Sequence, residues 1–283
     1  MQTSFCIRFS DIIIRFCLPS EVDYEPWVDA LAYPTDTLPD AEFHVRLLDS
    51  PLLPEGYLLR HDSSIIEYTT DEGRLRIYPP LTWEDGCQVA CLLCHDNRHI
   101  LYYPAKRWDF YTSPFHCLSL IMPEYLLLRH NAFLLHSSVI AYKGKTLLFS
   151  GPSGAGKSTQ AALWQDYLGA EILNGDRCVV MQKGNTFYGG GSPWAGTSGI
   201  YRPEQYPIAG IILPVKSREN RITQMRSAAF APLFGQTVVN SWDSFFMESI
   251  SVLFSKLLTK TPVYQLECRP DRKAVELVCS TLF

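Results

Sequence analysis

The chain has 283 residues, of which 47% are hydrophobic and 19% charged, and its formal net charge is −4. This composition supplies enough apolar material for a packed core and excludes a disordered chain, a collagen-like fibre and a small disulfide scaffold. Charge is unevenly spread, because residues 1–130 carry 10 Lys+Arg against 19 Asp+Glu and residues 131–283 carry 15 against 10. Fourteen of the 17 glycines also fall in the second part, which is therefore the better place for an anionic ligand.

The sequence shows no segment typical of export or of a membrane span. Residues Met1 to Pro19 lack a basic start followed by an unbroken apolar block, and later apolar runs are too short to cross a bilayer. The nine cysteines are odd in number and irregularly spaced, which favours reduced thiols over a disulfide framework. We therefore expect a cytoplasmic protein that binds neither a membrane nor nucleic acid.

Residues 1–125 are predicted to form a smaller, mostly β domain. Short runs rich in β-branched, aromatic and leucine residues are separated by Pro, Asp and Gly, as in strands joined by turns. Two apolar runs flank Asp96-Asn97-Arg98, which predicts a hairpin within Leu93–Tyr103, and a helix is expected over Leu118–Arg129. The other predicted strands are Asp11–Cys17, Tyr57–Arg60, Ser64–Thr69 and Leu75–Pro79.

Residues 126–283 are predicted to form a second domain, in which strands alternate with helices. The turn Lys143-Gly144-Lys145 is expected to join the strands Phe133–Tyr142 and Thr146–Ser150. Strands interleaved with helices indicate an α/β (α+β) layer structure. The remaining predicted strands are Ile172–Leu173, Cys178–Met181, Thr186–Tyr188, Ile211–Val215 and Val263–Cys268.

Three helices are predicted in this second part. Lys157–Leu168 has helical composition and stops at Gly169. Apolar residues recur at three- and four-residue steps between Ser241 and Lys260, which predicts an amphipathic helix with Ser241 as its N-cap. Pro270 is expected to open the last helix.

One segment carries a recognisable chemistry: Gly151-Pro152-Ser153-Gly154-Ala155-Gly156-Lys157-Ser158 fits G-x-x-x-x-G-K-[ST], between a predicted strand and a predicted helix. The glycines let backbone N–H groups point inward at a phosphate, and the helix N-terminus adds a partial positive charge. Lys157 is expected to reach the β- and γ-phosphates and Ser158 to ligate Mg²⁺. The predicted nucleotide contacts are Gly151, Ser153, Gly154, Ala155, Gly156, Lys157, Ser158 and Thr159.

An acidic group is needed beside such a loop to bind the metal or to activate a nucleophile. Asp176 follows a predicted strand and could accept a proton or bind Mg²⁺. Asn174-Gly175-Asp176 is also a common turn composition, so the residues leave both interpretations open. His136, on an apolar strand, is likewise either a core histidine or a group that contacts phosphate or orients Asp176.

Five segments, in this order, resemble the HPr kinase/phosphorylase-related kinases, whose superfamily includes ATP-dependent phosphoenolpyruvate carboxykinase. They are His136-Ser137-Ser138, the glycine-rich loop, Asp176-Arg177, Gly191-Ser192-Pro193-Trp194-Ala195-Gly196 and the run from Val263 to Asp271. The resemblance covers about residues 130–283. It implies a P-loop kinase domain of an atypical α/β fold, in which ATP phosphorylates a serine hydroxyl, and a homo-oligomer.

The resemblance also implies roles for single residues. Lys157 matches the phosphate-binding lysine, Ser158 the metal ligand, His136 the histidine on the preceding strand, and Asp176 the second of a catalytic Asp-Asp pair. Catalysis is thus assigned to Asp176, Lys157 and His136, and the metal to Ser158 and Asp176.

The chain departs from the family pattern at three places. Gly175 replaces the first acid of the pair, and Thr159 stands where true HPr kinases carry Glu. A Glu/Arg/Gly-rich second signature has no match after Trp194. HPr itself is therefore not the expected substrate.

These observations predict an ATP- or GTP- and Mg²⁺-dependent kinase that phosphorylates a hydroxyl, such as a serine of a peptide or small protein. Two alternatives stay open: a nucleotide-binding regulatory or assembly protein without phosphotransfer, and a phosphoenolpyruvate carboxykinase-like enzyme.

Several further patterns are weaker. The spacing of Cys87, Cys91 and Cys94 resembles iron–sulfur and haem-attachment motifs, but these cysteines lie in an apolar run that favours core packing. A zinc site from Cys91, Cys94, His95 and His99 stays open. Trp194 is expected to pack, and Gly189-Gly190-Gly191 suggests a mobile loop or a turn. The candidates for charge stabilisation on a phosphoryl group are Arg202, Arg218, Arg221 and Arg226.

Overall fold

The computed structural model describes residues 3–20, 32–34, 36–107 and 114–283. The chain divides into two compact units, Met1–Leu126 and Leu127–Phe283, and its described residues form a mixed α/β structure with large β-sheets and several helices. No helix among the described residues is long and apolar enough to cross a membrane.

The first unit is built on one mixed sheet. Its strands are β1 Thr3–Phe9, β2 Ile12–Leu18, β3 Ala32–Tyr33, β4 Ala41–Leu48, β5 Tyr57–His61, β6 Ile66–Thr69, β7 Gly73–Tyr78, β8 Val89–Cys94 and β9 Arg98–Pro104. They lie in the order β3-β1-β2-β4-β9-β8-β7-β6-β5. Most neighbours are antiparallel, but β4 pairs in parallel with both β2 and β9.

The predicted hairpin in this unit is confirmed, whereas the predicted helix is divided. Strands β8 and β9 pair antiparallel around a turn in which Asn97 has a φ of 64°. The helix expected over Leu118–Arg129 is instead α1 Pro114–Leu120 and α2 Pro123–Arg129. Pro123 lacks a backbone N–H and disfavours a helical residue before it, and Met122, with a φ of 49°, lies outside the right-handed helical region.

The second unit combines antiparallel and parallel strands. They are β10 Ala132–Tyr142, β11 Lys145–Ser150, β12 Glu171–Asn174, β13 Arg177–Lys183, β14 Thr186–Gly190, β15 Gln205–Lys216, β16 Arg221–Gln224 and β17 Val263–Cys268. The sheet order is β11-β10-β13-β14-β15-β17-β16, with β12 on β10 and a further pairing of β11 with β15. Its helices are α3 Lys157–Leu168, α4 Phe230–Phe234, α5 Ser244–Lys260 and α6 Arg272–Leu282.

This topology fixes the glycine-rich loop, residues 151–156, at one edge of the sheet. Strands β11, β15 and β17 are parallel neighbours, so their carboxyl ends share that edge, and the loop leaves the carboxyl end of β11. Helix α3 follows the loop and packs with α6 against the sheet through Trp164, which is fully buried beside Phe149 and Val275. The loop therefore joins two elements of one packed core.

Most predicted elements of this unit are confirmed. The β10–β11 hairpin turns at Lys143 and Gly144, whose φ angles are 47° and 71°. Helix α3 has the predicted bounds and ends at Gly169, which is in the left-handed conformation.

Two predicted helix starts are wrong. The N-cap of helix α5 lies two residues later than expected, because Asp243 rather than Ser241 accepts the hydrogen bond from the Phe246 amide. Pro270 lies outside α6, which is capped by Asp271 through the amide of Ala274. In both cases a carboxylate nearer the helix satisfies an otherwise unpaired N–H group.

Candidate functional site

The glycine-rich loop has the backbone conformations that its glycines predict. Gly151, Gly154 and Gly156 have φ angles of 141°, 77° and 104°, which side chains with a Cβ rarely adopt. Ser158 and Thr159 are exposed on the first turn of α3. The loop thus leads into a helix N-terminus, where backbone N–H groups and the helix dipole favour a bound anion.

Lys157 is the buried cation of this loop. Its side chain is 7% exposed, and Nζ donates hydrogen bonds to the carbonyl oxygens of Gly151 at 2.8 Å and Pro152 at 3.1 Å. Burial lowers the pKa of Lys157, while the negative charge of Asp176 acts in the opposite direction. A cation held by two neutral carbonyls can exchange them for the oxygens of a phosphate, so the loop suits an anionic group.

A buried asparagine shapes the turn that carries Asp176. Asn174 ends β12, and its Oδ1 accepts hydrogen bonds from the amides of Asp176 at 2.8 Å and Arg177 at 2.9 Å. Its Nδ2 donates to the carbonyl of Ser192 at 2.8 Å. Asn174 therefore holds Asp176 between β12 and β13, with the Asp176 side chain 28% exposed.

His136 lies on β10 directly beside this turn. Its Nδ1 is 3.0 Å from the carbonyl oxygen of Asp176 and 3.3 Å from the carboxylate Oδ1. The pKa of His136 is lowered, first by burial and then by the positive charge of Lys157, against the opposing charge of Asp176. The three residues to which catalysis was assigned thus lie within electrostatic reach of one another, and a neutral His136 is the favoured form.

The arginine nearest to this cluster is one for which the sequence analysis gave no role. Arg177 Nε lies 3.6 Å from Asp176 Oδ2. Two of the four arginine candidates are instead paired elsewhere, Arg202 with Glu171 and Arg221 with Glu267. The sequence feature that could have identified Arg177 is its position directly after Asp176, the predicted acid, at the start of β13.

The Ser198 side chain occupies the space beside Gly175, the position at which the sequence lacks the first acid of the expected Asp-Asp pair. A Cβ added to Gly175 would lie 2.6 Å from both Cβ and Oγ of Ser198. Gly196 has a φ of 54°, and a Cβ there would lie 2.9 Å from the Cβ of Asp176. The segment 195–199 therefore packs against the Gly175–Asp176 turn, and a side chain at position 175 would require Ser198 to move.

The residues around this segment are well packed. Trp194 is 8% exposed, in agreement with the expectation that it packs. Gly189 and Gly190 belong to β14, where an added Cβ would lie within 3.0 Å of atoms of Thr146 and of Gln205 or Glu204. Gly189 and Gly190 therefore lie in a strand, where they allow close approach of neighbouring strands, and not in the mobile loop or turn that the sequence suggested.

A cleft of about 600 Å³ adjoins the other flank of the glycine-rich loop. The carboxyl end of β15 contributes Leu213, Pro214 and Val215, and Met225 and Pro232 add further apolar surface. Val215 is 43% exposed there. The cleft is suited to a flat or apolar part of a ligand whose charged part lies on the loop.

The cysteine patterns are not brought together as a metal site. Cys87 and Cys91 are fully buried, as core packing predicts. Cys91 and Cys94 are three residues apart on β8 and therefore face opposite sides of the sheet, while the Cys94 amide donates to Nδ1 of His99. All nine cysteines lie in the described part of the chain and are free thiols there.

No family model and no curated protein matches this sequence. Among solved structures, the chain is similar to the Hpr(Ser) kinase/phosphatase from Coxiella burnetii. The match covers 53% of this chain and 92% of that chain at 13% identity, with a TM-score of 0.30. A TM-score of 0.30 carries no weight for function, which therefore depends on the geometry of this chain's own residues.

Proposed function

We propose that the chain is an ATP- and Mg²⁺-dependent phosphotransferase that phosphorylates a hydroxyl, such as the serine of a peptide or small protein. One observation carries this proposal: the buried ammonium of Lys157 lies on the carbonyls of its own loop and within electrostatic reach of the Asp176 carboxylate. A phosphate-binding cation beside a carboxylate that can accept a proton is the arrangement that phosphoryl transfer to a hydroxyl requires.

The two flanks of the loop are suited to different parts of the reactants in this proposal. Strand β10, with His136, borders β11 on one side, and β15, with the apolar cleft, borders it on the other. A triphosphate that follows the loop amides would have its nucleoside in the cleft and its terminal phosphate near Asp176. The acceptor hydroxyl would then approach from the side of Asp176 and His136.

The residues present fit a bound Mg²⁺. The Ser158 hydroxyl and the Asp176 carboxylate are hard oxygen donors of the type that Mg²⁺ prefers, and they would hold it beside the phosphates. When bound, Mg²⁺ neutralises charge on the phosphate oxygens.

The chain's own groups then have distinct roles. Lys157 binds the phosphates and Asp176 accepts the proton of the acceptor hydroxyl. His136, through Nδ1, orients the carboxylate, and Arg177 limits its negative charge. The contacts of His136 and Arg177 with Asp176 support this assignment.

A transfer assay tests the proposal. Wild type, Lys157→Ala and Asp176→Asn are incubated with γ-labelled ATP, Mg²⁺ and a panel of serine and threonine peptides. We expect label on a hydroxyl with wild type and with neither variant, with ATP binding retained in Asp176→Asn. Nucleotide binding by wild type without label on any peptide, and without ATP hydrolysis, would contradict phosphotransfer.

One observation favours a second candidate, a nucleotide-binding regulatory or assembly protein. The space next to Gly175, where the kinases that the sequence resembles carry their first acid, is occupied by Ser198. If one carboxylate is too few for transfer, the double variant Gly175→Asp with Ser198→Gly should gain activity that wild type lacks. If wild type is already active, the same variant should gain little, and the regulatory candidate is then rejected.

A further inference from the structure

We propose that Cys17, Glu42 and His44, in the first unit, form a binding site for a divalent transition-metal ion of the zinc class. One ligand atom from each residue, the Cys17 sulfur, a Glu42 carboxylate oxygen and a His44 ring nitrogen, lies within 4.8 Å of the other two. The site is far from the glycine-rich loop in sequence and does not depend on the proposed phosphotransfer.

The pairing register of two strands assembles this cluster. Strands β2 and β4 are parallel, and Cys17 pairs with His44 while Arg15 pairs with Glu42. Residues two apart on a strand share a face of the sheet, so Glu42 and His44 point to the same side as Cys17. The ligands are therefore fixed by a hydrogen-bonded sheet, with a further strand on each side of the pair.

The donor set is that of a borderline-soft ion. A thiolate, an imidazole and a carboxylate together suit Zn²⁺ or Co²⁺, whereas Mg²⁺ and Ca²⁺ take oxygen ligands. His44 Nε2 and Glu42 Oε1 are 2.6 Å apart and share a hydrogen bond. Two ligands at tetrahedral zinc lie roughly 3.3 Å apart, so a small opening of this pair would admit the ion.

Binding at this cluster is coupled to proton release, because a thiol must lose its proton to ligate the ion. Metal binding forms a sulfur–metal bond and releases the thiol proton to solvent, and His44 then binds through Nε2 with its proton on Nδ1. No oxidant or reductant is involved.

A second layer of contacts orients the carboxylate. Arg15 Nη1 lies 3.2 Å from Glu42 Oε2, and Arg15 Nη2 donates to the carbonyl of Thr37 at 2.7 Å. Arg15 thereby fixes Oε2 and leaves Oε1 directed at His44. The side chains of Glu42 and His44 are 23% and 33% exposed, which leaves a path for the ion and for a fourth ligand from solvent.

Other potential metal ligands in the same unit provide a matched control. A groove in the same unit is lined by His44 together with Cys94, His95, Asp96 and Glu72. Cys94 is more exposed than Cys17, and adventitious metal would bind at such a thiol. Comparison of Cys17→Ser with Cys94→Ser thus separates the proposed site from the groove.

The test is a titration of the full, reduced chain with Co²⁺ in the presence of excess Mg²⁺. Binding is monitored by the near-ultraviolet charge-transfer absorption between thiolate and cobalt. We expect one Co²⁺ per chain, displaced by Zn²⁺, with release of the thiol proton. The absorption should vanish in Cys17→Ser, persist in Cys94→Ser, and need at least about tenfold more Co²⁺ in Glu42→Gln or His44→Gln.

Three results would overturn the site: no thiolate absorption in wild type, absorption that persists in Cys17→Ser, or absorption lost in Cys94→Ser. Circular dichroism and thermal melting of each metal-free variant exclude a folding defect. If Cys17→Ser does not fold, the partly exposed Glu42→Gln and His44→Gln decide the question, since unchanged Co²⁺ affinity in both would reject the proposal.

Discussion

The two flanks of the glycine-rich loop differ in almost every physical respect. On the β10 side lie ionisable groups: His136 Nδ1 is 3.3 Å from Asp176 Oδ1, and Arg177 Nε is 3.6 Å from Asp176 Oδ2. On the β15 side lies an apolar cleft with Val215 and Met225 among its lining residues. Lys157 lies between them, in the loop.

This difference teaches how binding and chemistry can be separated in one site. Charged groups next to the loop change the energy of a transferring phosphoryl group and of a departing proton. An apolar surface contributes the same burial energy before and during transfer, so it affects affinity alone. Substitutions on the polar flank should therefore lower kcat, and substitutions in the cleft should raise KM.

The largest effect is expected for Asp176→Asn. The amide keeps the shape of the carboxylate but cannot accept a proton, so kcat should fall by about 10²- to 10⁴-fold. KM for ATP should change much less than kcat, because Lys157, Ser158 and the loop amides are intact and the amide introduced at position 176 keeps one oxygen that can ligate Mg²⁺. Steady-state kinetics with the best peptide acceptor measure both constants. An equal loss in kcat and in ATP affinity would contradict the claim that the polar flank acts on transfer and the apolar flank on binding.

Asn174→Ala should have the next largest effect. The amides of Asp176 and Arg177 would lose their acceptor, which should cost about 1–3 kcal/mol of unfolding free energy and lower kcat by displacing Asp176. Denaturant unfolding and kinetics give both numbers. Asn220→Ala, which removes an asparagine bonded to Asp271 and the Arg269 amide, is the control and should leave kcat unchanged.

On the apolar flank, Val215→Glu should raise KM for ATP by roughly tenfold with kcat unchanged, because a carboxylate near the loop repels the triphosphate. Val252→Glu is the matched control: Val252 is 51% exposed on α5 and does not line the cleft. A similar KM change in both variants would mean that net charge, not the cleft, determines ATP affinity.

The smallest effect concerns pH. Because folding lowers the pKa of His136 below the ordinary 6.5, the unfolded chain binds this proton more tightly than the folded chain does. The stability of the protein should therefore fall as pH decreases through about 6.5 toward the lowered value. Melting temperatures between pH 7.5 and 5.5 should depend less steeply on pH in His136→Gln than in wild type, and equal slopes would contradict this charge balance.

Features carried by neighbouring residues in the sequence were predicted well. The hairpin turn at Lys143-Gly144, the bounds of α3 and its Gly169 end all depend on local turn and helix-end chemistry. The glycines of the loop were likewise predicted to need unusual backbone angles, and three of them have such angles.

Features assembled from distant segments were not predictable in this way. Strand register decides that Cys17 meets His44, two residues from separate segments of the chain. The filling of the Gly175 position by Ser198 also depends on a loop that returns 23 residues later. Contacts between distant segments cannot be read from a local sequence pattern. A turn or a helix cap can, because all of its residues lie within a few positions of one another.

The central claim is that the loop around Lys157 holds the triphosphate whose terminal phosphoryl group is transferred. The most direct test is calorimetric titration of wild type and Lys157→Ala with ATP and Mg²⁺, in the buffer used for the transfer assay. Loss of the charge-assisted bonds should weaken ATP binding by roughly 10- to 100-fold and abolish transfer. Equal ATP affinity in the two proteins would contradict the claim.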